Sequence, residues 1–172
     1  AGYSDGGAQL GAYPAGGAAA VSVLTEPTEF KGDLEHLRHA AELLAPRAIP
    51  VMRKDFVTDP YQVLEARAAG AGGILVIVTM LDDDAVATLV ETARALGLFV
   101  LLECFDAADL GRLARYDVRG ASAQLVAGVN CRDLRDLTVR FERFAEVAPH
   151  LPRHLPTVAE SGVESAEGVA AL

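Results

Sequence analysis

The chain has 172 residues, 51% hydrophobic and 6% aromatic, with a formal charge of -9, which suits one globular domain spanning residues 1-172. An acidic balance without a Lys/Arg stripe excludes a nucleic-acid partner, and the longest apolar stretch, Ile74 to Leu81, is too short to cross a bilayer. No signal-peptide pattern precedes the first strand-like run, so the expected location is cytoplasmic.

In chain order, Ala1 to Gly17 is rich in glycine and carries Pro14, which predicts a weak or short first helix. A strand-like run begins near Val21. Asp33 to Ala45 follows with Leu34, Leu37, Ala41 and Leu44 at helical spacing and stops before Pro46. His36 and His39 are expected on the exposed side of this helix. The next strand-like run starts near Val51, and Asp59-Pro60 then opens a helix that Gly70 closes. After the run at Ile74, the Asp82-Asp83-Asp84 cluster reads as the acidic start of a helix reaching Leu96-Gly97 rather than as a metal site. Further runs begin near Phe99, Leu125 and Thr157. Tyr116 to Gln124 is a long connection expected on the surface. Cys104 and Cys131 form neither a CxxC pair nor a disulfide framework and read as reduced structural thiols. His150 and His154 flank prolines and carry no evident chemistry.

The strand-like runs recur every 23 to 32 residues or so, with helical stretches between them. They are short, nearly continuous in hydrophobicity and rich in Val, Ile and Leu, as parallel strands covered by helices should be. Several end in polar residues: Lys54, Glu103, Asn130 and Glu160-Ser161. Polar strand ends that converge fit the active-site face of a (β/α)8 TIM barrel, of which about six of the eight βα units are visible. A doubly wound sheet competes, but it usually carries a glycine-rich first turn, and no G-x-G-x-x-G occurs.

Alternation at period two places Met52, Lys54 and Phe56 on one face, Leu101 with Glu103, and Val126 and Gly128 with Asn130. If these faces line the barrel interior, an amine, a carboxylate and an amide surround one cavity while Arg53 and Asp55 point away. The plainer alternative is a Lys54-Glu103 ion pair that only fills the barrel mouth.

The residues also carry a family resemblance. Ser22-Val23-Leu24-Thr25-Glu26-Pro27, Arg53-Lys54-Asp55-Phe56, Asp59-Pro60-Tyr61-Gln62, Glu65 to Ala71, Gly128-Val129-Asn130 with Arg132-Asp133-Leu134, and Glu160-Ser161-Gly162 together resemble indole-3-glycerol phosphate synthase. The likeness covers nearly everything from Ala15 to Leu172. It implies a carbon-carbon lyase of tryptophan biosynthesis that closes and decarboxylates 1-(2-carboxyphenylamino)-1-deoxyribulose 5-phosphate, giving indole-3-glycerol phosphate, CO2 and water, with no metal or organic cofactor. By the same resemblance Lys54 is the general acid and Glu103 takes a proton in the later dehydration. Asn130 holds the substrate and that carboxylate, Arg132 grips the anthranilate carboxylate, and Glu160 meets a substrate hydroxyl. Ser161 and Gly162 form half of a phosphate cradle, and Phe56, Leu75 and Phe30 form apolar walls. The implied partner is a small-molecule sugar phosphate, and other tryptophan-pathway enzymes are admitted as further partners.

Family members carry an upstream Lys-x-Ser-Pro-Ser type segment with a second active-site lysine, and a glycine-rich loop after an eighth strand. Neither is found here, so the chain reads as a fragment of a longer barrel. The competing expectations are a catalytically inactive relative that binds sugar phosphates or a protein, and a related barrel such as phosphoribosylanthranilate isomerase. The combined Lys54, Glu103, Asn130 and Glu160-Ser161 pattern disfavours the last.

Overall fold

The computed structural model describes residues 6-116, 125-133, 136-170 and 172. Within them six strands alternate with seven helices: α1 (Gly6–Ala15), β1 (Val21–Leu24), α2 (Leu34–Leu44), β2 (Val51–Lys54), α3 (Pro60–Ala68), β3 (Gly73–Ile77), α4 (Asp83–Ala95), β4 (Phe99–Cys104), α5 (Ala107–Leu113), β5 (Leu125–Asn130), α6 (Arg143–Val147), β6 (Thr157–Glu160) and α7 (Ala166–Ala170). Every strand pairs in parallel with the next, and the spatial order is β1-β2-β3-β4-β5-β6. A doubly wound sheet would reverse its order at a switch point. This one never does.

The sheet must also curl. Six flat strands about 4.8 Å apart would spread over roughly 24 Å, yet Leu24, Lys54, Leu75, Glu103, Asn130 and Ser161, from β1 through the residue after β6, line one cavity of about 230 Å³. The architecture is therefore part of a TIM barrel, with the cavity at the C-terminal ends of its strands.

Alternation divides the strand residues between two apolar clusters. Val21, Val23, Val51, Ile74, Val76, Val100, Leu102, Leu125, Ala127 and Val129 face the helices and pack with Leu37, Leu44, Val63, Leu89 and Leu113. Met52, Leu75, Ile77 and Leu101 form a smaller cluster on the concave side, joined by Phe99 and Val126. The buried cation of Arg53 lies between strands and helices: it donates to Asp55 Oδ2 at 2.9 Å, to the Gln62 carbonyl at 2.8 Å and to Glu65 at 3.2 Å. It ties β2 to α3. An arginine can be kept in this interior because each face of its guanidinium finds an acceptor.

Local signals explain the helix boundaries. Asp33, Asp59 and Asp82 cap α2, α3 and α4 with their side chains, and Asp59 forms a reciprocal capping box with Gln62. Asp83 goes to Arg112 at 2.7 Å and also meets Arg115, so two members of the acidic cluster have structural employment. Gly70 and Gly97 end their helices at φ +85° and +71°, which glycine adopts without strain.

Three expectations are corrected or fall outside the description. α1 runs 10 residues despite its glycines. Pro14 lies inside its last turn, and Leu10 is buried. His39 is exposed as expected, but His36 is half-buried. The connection from Tyr116 to Gln124 lies, beyond Tyr116, outside the described residues. Among the described residues no helix is long and apolar enough to cross a membrane. Both cysteines are buried free thiols, and burial pushes each thiol above its ordinary range, which disfavours nucleophilic use.

Candidate active site

The strand register delivers the polar groups to one level. Lys54 closes β2, Glu103 is the next-to-last residue of β4 and Asn130 closes β5, so Lys54 and Glu103 follow the inward Met52 and Leu101 at period two, and Asn130 follows Gly128. The Lys54 amine lies 3.8 Å from Glu103 Oε2; its side chain is 37% exposed, against 2% for Glu103. A gap that long is an ion pair without a tight hydrogen bond. The ammonium is thus held near the carboxylate yet remains able to turn toward a ligand.

Asn130 organises the far side of the cavity. Its Oδ1 accepts the Ser161 hydroxyl at 2.8 Å and the Arg132 backbone N–H at 2.9 Å, so the carbonyl end of the amide is committed to the protein and its chemistry toward a ligand is donation. The Asn130 carbonyl accepts from buried Arg143 at 3.0 Å. Arg132 itself donates to the Leu137 carbonyl at 2.9 Å, which holds its guanidinium at the rim. Ser161 and Gly162 take φ of +66° and +68° in succession. For Ser161 that left-handed conformation is strained, and at Gly162 a Cβ would come within 2.6 Å of Val139 Cγ1, so only glycine fits. The Cys131 thiol donates to the Ser161 carbonyl at 3.2 Å and helps hold this turn.

The mouth is aromatic. Phe30 and Phe56 meet with centroids 6.2 Å apart at 47°, within the range of favourable ring pairs, while Leu75 is buried on the floor. Glu26 builds the loop that carries Phe30 by accepting the N–H groups of Thr28, Glu29 and Phe30 at 2.8, 2.7 and 3.0 Å. Desolvation pushes the Glu26 carboxyl up, but these N–H donors outweigh it and hold the group below its ordinary range.

A second carboxyl group stands beside Glu103. Glu160 is raised from an ordinary 4.5 to about 8, first by burial and then by the charge of Glu103, with Lys54 opposing. Glu103 Oε2 and Glu160 Oε1 are buried atoms without a hydrogen-bond partner. Buried acceptors left in this way mark a place where donors are wanted.

Of the residues singled out from the sequence, Lys54, Glu103, Asn130, Arg132, Phe56, Leu75, Phe30 and Ser161 line the cavity together. Glu160 and Gly162 do not line it. Phe56 lies past the end of β2, and Asp55, expected to point away, both binds Arg53 and reaches the rim. Sequence reasoning missed Arg143, whose helix start gives no periodic sign of an inward role, and gave Glu26 no role although it stands in the Thr25-Glu26-Pro27 string. A wider recess of about 480 Å³, bounded by Thr79, Asp106, Arg140 and Glu146, holds none of the singled-out residues.

Parallel strands in sequential order around a cavity with an amine, carboxylates and an amide at the strand ends define an α/β protein of the TIM-barrel class. Solved structures agree on the fold. 3-Hexulose-6-phosphate synthase matches 97% of this chain and 90% of its own at TM-score 0.55 and 15% identity. Dihydropteroate synthase from Yersinia pestis matches 95% and 69% at TM-score 0.57 and 18% identity. The sequence is more specific: a model of the indole-3-glycerol phosphate synthase family matches residues 5–172. Indole-3-glycerol phosphate synthase of Kineococcus radiotolerans is 43% identical over 157 residues, covering 91% of this chain and 54% of its own length. That of Parafrankia sp. is 47% identical over 154 residues, covering 88% and 53%. The chain belongs to the indole-3-glycerol phosphate synthase family and spans about half the length of these relatives.

Proposed function

We propose that this chain supplies the acid-base centre of an indole-3-glycerol phosphate synthase, a carboxy-lyase that converts 1-(2-carboxyphenylamino)-1-deoxyribulose 5-phosphate to indole-3-glycerol phosphate, CO2 and water. The observation that carries the reading is the Lys54-Glu103 pair, 3.8 Å apart, in a cavity whose mouth is aromatic. Lys54 gives its proton to the substrate carbonyl oxygen as the ring closes, where negative charge develops, so its contact is stronger in the transition state than in the ground state. Loss of CO2 then leaves a hydroxyl-bearing intermediate from which Glu103 removes a proton while the hydroxyl, taking up a second proton from solvent, leaves as water. Asn130 donates from its NH2 group and holds the substrate near that carboxylate. Arg132 faces the anthranilate carboxylate, Phe56, Phe30 and Leu75 flank the aromatic ring, and Glu160 meets a substrate hydroxyl. Ser161 and Gly162 contribute half of the phosphate site. This chemistry calls for no metal or organic cofactor, because the substrate's own nitrogen lone pair supplies the electrons for ring closure.

Residues 1-172 act in this reading as one folded unit of a cytoplasmic enzyme whose partner is a sugar-phosphate substrate. The experiment is conversion of the ribulotide by the intact protein, followed by indole fluorescence. Growth of the indole signal with release of one CO2 per product supports the reading, and binding of the ribulotide without turnover overturns it.

A further inference from the structure

The strand register leaves a geometric problem at the centre of the site. Glu103 stands level with Gly128, and Asn130 stands level with Glu160. Glu160 is therefore two positions further along the strands than Glu103, yet its charge and its carboxyl reach Glu103 directly. The side chain must fold back over β5 to do so. What it crosses is Gly128: a Cβ built there would collide with Glu160 Oε1 and come within 3.1 Å of Leu101 Cδ1. Gly128 has no positive φ among the described residues, so backbone freedom does not explain a glycine at this place. Space does.

We propose that Gly128 is a positioning residue of the site: its missing side chain is the recess that seats the Glu160 carboxyl against Glu103, where Glu160 donates a hydrogen bond to that carboxylate. Glu160 then serves Glu103 as well as any ligand. A neutral carboxyl beside an ionised one satisfies an acceptor that would otherwise be buried alone. The groups that act on Glu160 come from two strands: Glu103 on β4, whose charge favours the protonated form, and Lys54 on β2, which opposes it. The consequence for turnover rests on the function proposed above, whereas the seating of Glu160 does not.

The test is a carbon-13 titration of glutamate carboxyl groups in the intact protein, with Glu160→Gln identifying the Glu160 signal. In the parent, Glu160 is expected to titrate near 8, and in Gly128→Ala, with the recess filled, its midpoint falls by about 1 pH unit or more as the carboxyl moves toward solvent. Should Gly128→Ala not fold, Glu103→Gln decides: it adds no volume, removes the neighbouring charge, and lowers the same midpoint. A parent Glu160 that titrates in the ordinary carboxylate range overturns the proposal. So does a folded Gly128→Ala, or in its absence a Glu103→Gln, with the midpoint unchanged. If the midpoints move as expected while the ribulotide is not converted, the function reading fails and this one stands. Conversion with an ordinary Glu160 midpoint gives the reverse.

Discussion

At the scale of single residues, Glu160 gives a signed prediction. Its folded value near 8 lies above an ordinary 4.5, so the folded state binds the proton more tightly than the unfolded one. Its contribution to stability is fully present below about 4.5 and is lost as pH rises through about 8. Denaturation midpoints of the intact protein, compared with those of Glu160→Gln, should show the parent losing stability relative to the variant across that window. Parallel pH curves would contradict the shift. Lys54 and Glu103 could be read from the sequence because each follows an apolar strand at the period that puts it inside. The seat of Glu160 over Gly128 could not be read in this way, since it depends on register between β4, β5 and β6. Nor could the Arg143 bond to the Asn130 carbonyl, which joins a helix start to a strand across a loop.

At the scale of elements, Arg53 joins β2 to α3 by hydrogen bonds beside their apolar contacts. The guanidinium side chain is 6% exposed and its partner Asp55 9%, so substitution strands a buried carboxylate. Arg53→Met in the intact protein is expected to cost about 3–5 kcal/mol, the scale for removing one member of a buried pair. A urea midpoint within a few tenths of the parent would show that the network contributes nothing. Helix starts were legible because Asp33, Asp59 and Asp82 are caps whose chemistry is local, and the inner strands were legible because β3, β4 and β5 are buried on nearly every residue. α1 was underestimated because glycine content and Pro14 bear on intrinsic propensity, while burial of Leu10 against the rest of the fold overrides it.

At the scale of the molecule, β1 and β6 each pair on one side only among the described residues, and Val158 on β6 is 42% exposed. Open parallel edges recruit other strands. The 172-residue chain on its own is therefore expected to associate, with sedimentation showing species above the monomer, whereas a compact monomer that unfolds cooperatively would count against this. The barrel was legible from repetition at the βα period; the curl that gathers six strand ends around one cavity emerges only when the sheet is assembled. We propose that this curl makes Lys54 the acid of ring closure. It is tested by steady-state turnover of the ribulotide in Lys54→Ala of the intact protein. In that variant kcat is expected to fall by about two to four orders of magnitude with a smaller change in KM, whereas a kcat within a few fold of the parent removes Lys54 from the acid role and leaves it as a structural partner of Glu103.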